Sequence, residues 1–235
     1  MFSAYDNIKA GLSLKEDGNM KCSTEDAEDT SFKNRELFFK KQGLDNKDVV
    51  SAGLVHGGQA AVIGSDSRGK SVAGYDALIT DQPGAILTVT VADCLPLYFY
   101  DRAKQAIALA HAGWRGVLTP ITKNVLAALA THYGSRPADI EVFIGPHLQK
   151  CHFTVKEDVA SQFVAYPSLI SRSDKIYIDL AGIVRQQLIE AGVRSEQIRS
   201  SDECTYELAD KYFSYRRDGG ELQTMIAYLR INPIV

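Results

Sequence analysis

The stretch from residue 86 to residue 116 constrains the fold most, because three apolar runs follow one another within it. It reads ILTVTVADCLPLYFYDRAKQAIALAHAGWRG. The first run stops at Asp93 and Cys94, the second at Asp101, and the third at His111. Short apolar runs that end in polar residues, Gly or Pro are typical of buried strands. The stretch therefore predicts three core strands, with Cys94 and His111 at or near strand ends.

A third side chain with metal-binding chemistry, His56, comes directly after the apolar pair Leu54-Val55. Two imidazoles and a thiolate suit Zn²⁺, and three protein ligands leave one position open for water or substrate. The spacing therefore allows a metal site formed by His56, Cys94 and His111. It also allows a structural role, because cysteine is among the most buried residue types and a single strand-end histidine often packs in the core. The chain has no compact CxxC or HExxH motif that would decide between the two.

Seven short motifs occur in one order along the chain: VHG, DALIT, ADC, HAGWRG, IGP, CT and FSYRRDGG. Together they resemble the family variously called laccase-domain, multicopper polyphenol-oxidase-like, purine nucleoside phosphorylase or peptidoglycan-editing-factor proteins. The resemblance is weak up to about residue 50 and strong over the remainder of the chain. It implies that His56, Cys94 and His111 bind a metal, usually Zn²⁺, with copper as the alternative.

The same resemblance implies phosphorolysis of adenosine, inosine and methylthioadenosine to the free base and ribose 1-phosphate, together with adenosine deaminase activity. An open Zn²⁺ position can activate water or orient an anionic nucleophile such as phosphate. We therefore expect small-molecule partners, a purine nucleoside and phosphate. We expect Cys94 and His111 to serve catalysis as well as the metal, and Asp93 to be the acid that helps the base to leave.

Other function classes fit the same residues. Cys94 could be a nucleophile with His111 as its base, in an amide hydrolase that edits cytoplasmic peptidoglycan precursors. A copper-dependent polyphenol oxidase would need a trinuclear copper cluster fed by about eight or more histidine ligands, whereas the chain contains 5 histidines. A non-enzymatic metal-binding protein with a vestigial site is the remaining alternative.

Five residues are candidates for contacts with substrate or phosphate. Lys15 and Asn19 lie where the family commonly has an S-T-R-x-G-G segment, and Lys15 keeps the charge of the usual arginine without its bidentate geometry. Arg115 lies at a predicted helix N-terminus, where backbone N–H groups can hold an anion. Arg216 and Arg217 suit a phosphate or carboxylate. A solvated lysine, and arginines paired with nearby aspartates, are the structural alternatives.

The 4 cysteines, Cys22, Cys94, Cys151 and Cys204, are widely spaced rather than arranged as a disulfide framework, so we expect reduced thiols. Cys151 and His152 stand where the family typically has a Cys-Cys pair. Either could line the pocket, but both serve equally well as core or loop residues. We therefore predict no functional role for them.

The composition favours one soluble globular domain. The 235 residues are 45% hydrophobic, which supports the core of one large α/β domain. A formal net charge of −3 argues against a nucleic-acid partner. No apolar segment reaches the ~18 residues that a membrane helix needs, and the N-terminus shows no signal peptide. We therefore predict a cytoplasmic protein, while the oligomeric state is left open.

The predicted fold class is α/β, a single domain over residues 1–235 with mixed β-sheets sandwiched between helices. Asp179 is the expected N-cap of the last helix, and acidic residues 25–29 are expected before the first. Helical periodicity predicts helices near residues 31–42, 117–132, 156–165 and 179–191. Besides the three central strands, apolar runs predict strands within residues 4–14, 49–64, 140–144, 176–178 and 222–231.

Overall fold

The described part of the chain forms three β-sheets, with helices packed on the two large ones. The structure is a computed structural model and describes residues 4–21, 30–219 and 222–233. Cys22 and the acidic residues 25–29 lie outside the described residues. The described strands are β1 (Ile8–Leu12), β2 (Val49–Gly53), β3 (Ala60–Val62), β4 (Ser71–Ala73), β5 (Ala77–Thr80), β6 (Ile86–Val91), β7 (Leu95–Asp101), β8 (Ala106–Ala112), β9 (Ile140–Ile144), β10 (Thr154–Val155), β11 (Ile170–Arg172), β12 (Ile176–Ile178), β13 (Ile198–Ser200) and β14 (Met225–Ile231). The described α-helices are α1 (Thr30–Lys41), α2 (Trp114–Leu118), α3 (Ile121–Tyr133), α4 (Glu157–Ala160), α5 (Leu180–Glu190) and α6 (Tyr215–Asp218).

Two large sheets mix parallel and antiparallel neighbours. The five-stranded sheet has the order β1-β14-β6-β2-β4, and the six-stranded sheet has the order β13-β9-β7-β8-β5-β3. In the first sheet β14 pairs antiparallel with β1 and β6, whereas β2 runs parallel to β6. In the second sheet β7 pairs antiparallel with β8 and β9, whereas β3 runs parallel to β5. The third sheet, β10-β12-β11, is antiparallel.

Side-chain alternation along β7 shows how the sheets and helices are layered. Successive side chains of a strand point to opposite faces of the sheet. Tyr98 packs in one core cluster with Leu229 of β14, and Phe99 packs in another with Val125 of α3 and Ile183 of α5. The six-stranded sheet therefore lies between the five-stranded sheet and these two helices. Because β7 and β8 are buried over their whole length, their large apolar side chains stabilise the fold by about 1.5–3 kcal/mol each.

Helix α1 covers the outer face of the five-stranded sheet. Phe38 and Phe39 pack against Ile86 of β6 and Tyr228 of β14. Both phenylalanine rings meet the Tyr228 ring edge-on, with centroids 5.8 and 6.2 Å away, an arrangement that aromatic pairs favour. Helices thus cover both large sheets from outside. The predicted α/β fold, with mixed sheets between helices, is confirmed.

The prediction of one continuous helix after the HAGWRG motif is wrong. Instead of one helix over residues 117–132, α2 ends at Leu118 and α3 begins at Ile121, with Pro120 as its N-cap. A proline inside a helix removes one backbone hydrogen bond and its ring clashes with the preceding turn. The chain therefore breaks the helix at this proline instead of carrying it in a first turn.

The other helices differ from prediction mainly at their ends. The segment predicted as a helix over residues 156–165 is α4 followed by a 3₁₀ turn at Ser161–Phe163. Asp179 caps α5 as predicted, since its side chain accepts a hydrogen bond from the Gly182 N–H at 2.8 Å. The segment FSYRRDGG, for which no helix was predicted, contains α6. None of the helices in the described part of the chain has the length and apolar character needed to cross a membrane.

Candidate functional site

The pairing of β7 with β8 brings Cys94 and His111 to one edge of the six-stranded sheet. In this antiparallel pair Leu95 lies opposite Ala112, and Pro96 lies opposite His111. Cys94 immediately precedes β7 and therefore lies beside the end of β8. The two residues that the sequence placed near strand ends thus meet because their strands are neighbours.

Asp76 holds His111 in a fixed orientation. The Nδ1–H of His111 donates to Oδ1 of Asp76 at 3.0 Å, and both side chains are buried. The backbone N–H of His111 also donates to the Asp76 carbonyl at 2.7 Å, because β5 begins directly after Asp76 and pairs with β8. With Nδ1 bound to the carboxylate, Nε2 is the ring nitrogen available to a ligand.

The Asp76 carboxylate also shapes the loop that carries His56. It accepts hydrogen bonds from the backbone N–H groups of Val55, His56 and Gly57 at 3.3, 2.9 and 2.7 Å. His56 has a φ of 58°, in the left-handed region that non-glycine residues rarely adopt. Such backbone conformations persist where the surroundings enforce them. Asp76 therefore organises both histidines of the cluster.

The ligand atoms of His56, Cys94 and His111 converge. They all lie within 4.8 Å of one another, and the two imidazole rings meet edge-on at 81°. His111 is 3% exposed and Cys94 is half-buried, whereas His56 is exposed. The cluster therefore opens to solvent on the His56 side. Two imidazoles and a thiolate with one open direction form a donor set that fits Zn²⁺ in a catalytic site.

Burial and charge oppose each other in this cluster. Burial acts to lower the pKa of His111, but Cys94 and Asp76 raise that pKa to about 9. Burial lowers the pKa of His56, and the positive charges of His111 and Arg115 add to this. Burial acts to raise the pKa of Asp76, yet hydrogen bonds from His111 and backbone N–H groups hold it below its ordinary value. A divalent cation binding here must displace the proton that His111 otherwise holds.

Asp93, the expected acid, is held by donors from two other segments. Its Oδ1 accepts from the Thr205 hydroxyl at 2.7 Å, and its Oδ2 accepts from the Ser214 hydroxyl at 3.1 Å and the Arg216 backbone N–H at 2.6 Å. Its φ of 80° is again left-handed. A carboxylate with three donors fastens these segments beside Cys94. Its role as a proton donor stays a prediction.

Arg115 is the predicted phosphate contact whose charge reaches the cluster. Its side chain is exposed, and its guanidinium lies 4.2 Å from the ring centroid of Trp114, within the range of a cation–π contact. Its charge contributes to the lowered pKa of His56. Because α2 has only 5 residues, an anion here would rely on the Arg115 side chain more than on a helix dipole.

Lys15 and Asn19 are engaged within the chain. The Lys15 ammonium donates to the Ala209 carbonyl at 3.1 Å. The Asn19 side-chain carbonyl accepts from the backbone N–H groups of Lys21 and Thr224 at 3.0 and 2.9 Å. The Lys15 bond ties the segment before α1 to the loop between β13 and α6, and the bond from Thr224 to Asn19 ties it to the residue before β14. Substrate contact by either residue stays a prediction.

The paired arginines fasten α6 to neighbouring loops. Nη1 of Arg216 donates to the His152 carbonyl at 3.1 Å and to both oxygens of Thr154 at 2.9 and 3.0 Å. Arg217 donates to three backbone carbonyls and one carboxylate, those of Thr205, Tyr206, Tyr212 and Asp218. The structural alternative, pairing with an aspartate, is thus present for Arg217. Phosphate binding by the two arginines stays a prediction.

A second group of side chains that could ligate a metal was not predicted from the sequence. Cys151 and His152 lie with Cys204 and Glu207, and the four ligand atoms all lie within 4.8 Å of one another. Burial raises the pKa of the Cys151 thiol, and the nearby Cys204 and Glu207 raise it further. The sequence signals were the Cys-His pair itself and the CT motif, but nothing in their spacing joins them.

Three matches in sequence cover most of the chain. The sequence model of the family described as multi-copper polyphenol oxidoreductase laccase matches residues 9–232. Purine nucleoside phosphorylase YlmD of Bacillus subtilis (strain 168) is 28% identical over 97% of this chain and 88% of its own length. Purine nucleoside phosphorylase YfiH of Escherichia coli (strain K12) is 33% identical over 79% of this chain and 74% of its own length.

Solved structures share the fold. The crystal structure of YlmD from Geobacillus stearothermophilus has a TM-score of 0.91 and 29% sequence identity, and the match covers 98% of this chain and 94% of that chain. Agreement over nearly both full lengths means that the two mixed sheets and their connections, which assemble the cluster, recur in that protein.

Proposed function

This chain belongs to the multi-copper polyphenol oxidoreductase laccase family, as its motifs indicated, and we propose that it is a zinc-dependent purine nucleoside phosphorylase with adenosine deaminase activity. Relatives in Bacillus subtilis and Escherichia coli are named purine nucleoside phosphorylases, which supports a small-molecule nucleoside substrate. The observation that carries the proposal is the convergence of His56, Cys94 and His111 at a solvent-facing edge of the sheet.

Phosphorolysis of adenosine, inosine or methylthioadenosine needs phosphate at C1′ of the ribose. A C1′–O bond forms as the bond from C1′ to the purine nitrogen breaks, and a proton is delivered to the leaving base. When bound, Zn²⁺ supplies a positive charge that can orient phosphate or activate water. The three ligands would be His56, Cys94 and His111, and Asp76 keeps Nε2 of His111 turned toward the cluster through its hydrogen bond to Nδ1.

Two further residues have roles in this proposal. Arg115 is exposed beside the cluster and is suited to hold phosphate oxygens. Asp93 stands next to Cys94 in the chain, and its hydrogen bonds from Thr205 and Ser214 fix its position. We assign to Asp93 the role of donating the proton that the leaving purine takes up. Deamination replaces the amino group at purine C6 with an oxygen from water and releases ammonia, and it therefore needs no phosphate.

The experiment that tests the proposal follows adenosine with and without phosphate by chromatography. Adenine and ribose 1-phosphate should form only with phosphate, whereas inosine should form without it. Cys94→Ala should abolish both reactions, while His132→Ala, which alters an exposed histidine on α3 outside both clusters, should retain them. Undiminished phosphorolysis by Cys94→Ala would overturn the proposal.

The second candidate function is a Cys–His amide hydrolase, and one contact favours it. Asp76 orients His111 through Nδ1 at 3.0 Å, and Cys94 is the adjacent thiol, so the three residues can be assigned the roles of nucleophile, base and orienting carboxylate. A coordinated thiolate is a poorer nucleophile, so added zinc should inhibit this hydrolase but support the phosphorylase. Amide release from a muramyl-serine precursor, blocked by thiol alkylation and by zinc, would favour the hydrolase.

The chain lacks the number of histidines that copper-dependent polyphenol oxidation would require. A trinuclear copper cluster uses about eight or more histidine ligands, and the chain contains 5. Of these, His56 and His111 lie in one cluster and His152 in the other. His147 is buried against the Gly145 carbonyl, and His132 is exposed on α3. The histidines of this chain are therefore distributed over too many places for such a cluster.

A further inference from the structure

The second group of metal-ligating side chains joins two loops. Cys151 and His152 lie between β9 and β10, whereas Cys204 and Glu207 lie between β13 and α6. The loop backbones already meet at a bridge between His147 and Cys204. The four side chains extend this contact toward the surface, since Cys204 is 2% exposed and Cys151 is exposed. The group therefore has a buried inner ligand and a path by which an ion can enter.

The side chains converge on one atom, Nδ1 of His152. Sγ of Cys151, Oε1 of Glu207 and Sγ of Cys204 lie 3.1, 3.5 and 3.7 Å from it, respectively. Sγ of Cys151 also lies 3.7 Å from Oε1 of Glu207. A ring nitrogen carries at most one proton and makes one good hydrogen bond. Hydrogen bonding alone therefore does not account for three partners around this nitrogen.

These separations match those that a shared ion imposes. Tetrahedral Zn²⁺, with bonds of about 2.0–2.3 Å to nitrogen, oxygen and sulfur, places its ligand atoms about 3.3–3.8 Å apart. Three of the four separations given above, 3.5, 3.7 and 3.7 Å, fall in this range. The fourth, 3.1 Å, joins the sequence neighbours Cys151 and His152. Little movement is therefore needed to seat an ion.

Neighbouring residues hold the His152 ring and its loop. The ring stacks on Tyr206, with centroids 4.3 Å apart and planes inclined by 19°. The His152 carbonyl accepts a hydrogen bond from Arg216. Supporting contacts of this kind fix the orientation of a ligand imidazole. The ring is thus set in place before any ion binds.

We propose that Cys151, His152, Cys204 and Glu207 form a second metal site, distinct from the catalytic cluster, that binds Zn²⁺ with four protein ligands. Two thiolates, an imidazole and a carboxylate match the ligand preference of Zn²⁺. Four protein ligands leave no open position, and such closed sites stabilise structure rather than perform chemistry. The ion fastens the loop after β9 to the loop after β13.

Hydrogen bonds to Asp93 link the proposed site to the first cluster, and one of them comes from the backbone N–H of Arg216, whose side chain also donates to the His152 carbonyl. Thr205 follows Cys204, and its hydroxyl donates to Asp93 at 2.7 Å, next to Cys94. Loss of the second ion should therefore lower thermal stability first and affect catalysis only through the position of Asp93. The proposal does not depend on which reaction the first cluster performs.

Zinc content tests the proposal. The full chain is stripped with a chelator, reloaded with Zn²⁺, desalted, and measured by mass spectrometry of the metal. Wild type should hold about two zinc ions per chain, and Cys151→Ser/His152→Asn about one, because each site binds through its own ligands. Cys94→Ala should also hold about one, and His132→Asn should match wild type. If Cys94→Ala does not fold, His56→Ala, which changes an exposed ligand, replaces it.

A thiol measurement supplies an independent readout. In the Cys94→Ala protein, Zn²⁺ should protect Cys151 from alkylation, because a coordinated thiolate is less reactive, and Glu207→Gln should weaken this protection. Equal alkylation of Cys151 with and without Zn²⁺, together with no zinc bound by Cys94→Ala, would overturn the proposal. A Cys151–Cys204 disulfide that persists in zinc-containing buffer would overturn it as well.

Discussion

Asp76→Asn tests whether one buried carboxylate assembles the cluster of His56, Cys94 and His111. Asp76 is fully buried and accepts hydrogen bonds from the His111 ring and from the backbone N–H groups of His56 and Gly57. Asparagine has nearly the same shape but offers one acceptor oxygen and one NH₂ group. Whichever way the amide lies, at least one donor that the carboxylate now satisfies will face another donor.

The two amide orientations predict the size of the effect. With the carbonyl at the Oδ1 position, the NH₂ group faces the Gly57 N–H, which now donates at 2.7 Å. With the carbonyl at the Oδ2 position, the NH₂ group faces Nδ1 of His111, which must then accept, so its proton moves to Nε2 and blocks the ligand atom. Losing a hydrogen bond to a charged group and leaving a buried donor unpaired costs about 2–4 kcal/mol. Loss of the carboxylate that orients a ligand histidine weakens metal affinity about 10–100-fold.

Two assays separate these effects. Urea unfolding in the presence of a chelator should give a free energy of unfolding about 2–4 kcal/mol below wild type. Competition with a fluorescent zinc chelator on the folded protein should give a zinc affinity about 10–100-fold weaker. Asp101→Asn is the matched control. Asp101 is also buried, and its Oδ1 accepts two backbone N–H groups at 2.9 and 3.0 Å at the other end of β7.

The control should leave zinc affinity unchanged, because an asparagine oxygen can keep both of those bonds and the residue is remote from the cluster along β7. Wild-type zinc affinity in Asp76→Asn would refute the reasoning even if stability fell. An equal loss of zinc affinity in both variants would also refute it, since general destabilisation would then explain the result.

Three further substitutions probe the surroundings of the cluster. Gly113→Ala would put a Cβ 3.1 Å from Sγ of Cys94, so strain of about 1–2 kcal/mol should weaken zinc affinity about tenfold, as measured by chelator competition. Arg115→Gln should raise the KM for phosphate about tenfold by removing an exposed cation, with the free energy of unfolding within about 0.5 kcal/mol of wild type. Arg217→Gln should instead lower the free energy of unfolding in urea by about 2–4 kcal/mol, because it removes donors to three backbone carbonyls. It should leave the KM for phosphate unchanged.

Each of these substitutions has an outcome that contradicts its reasoning. Gly57→Ala is the control for Gly113→Ala, because its added Cβ meets neighbours only at 3.5 and 3.6 Å, and equal zinc loss in both would remove the steric argument. An Arg115→Gln enzyme with an unchanged phosphate KM would exclude that side chain from phosphate binding. A raised KM with unchanged stability in Arg217→Gln would contradict the structural reasoning and support the phosphate contact that the sequence predicts for Arg217.

The convergence of His56, Cys94 and His111 was predictable because each of them lies at the end of an apolar run and within a recognisable motif. Cys94 and His111 border the apolar runs that become β7 and β8. The antiparallel pairing of these two strands brings the two residues together. Asp76 was harder to interpret, since a carboxylate before a strand can end a turn or orient a ligand. Only the pairing of β5 with β8 places it against His111. Its function depends on a contact between segments that sequence spacing does not reveal.

The second group of ligands was not predictable for the same reason. Cys204 lies 52 positions from His152, and Glu207 lies 56 positions from Cys151. No fixed spacing links such distant residues, in contrast to compact zinc motifs.

The fold class followed from buried strands interleaved with helical segments. In the sheet β10-β12-β11, by contrast, only β12 was predicted. Strands of 2 or 3 residues are too short to show an alternating pattern.

The most direct test of the central claim is the location of bound zinc by anomalous diffraction at the zinc absorption edge. Crystals of the full chain grown with Zn²⁺ should give a peak about 2.0–2.3 Å from Nε2 of His111, Sγ of Cys94 and a ring nitrogen of His56. A crystal with zinc in its mother liquor and no peak among these three side chains, or an ion there that leaves one of them uncoordinated, would contradict the claim.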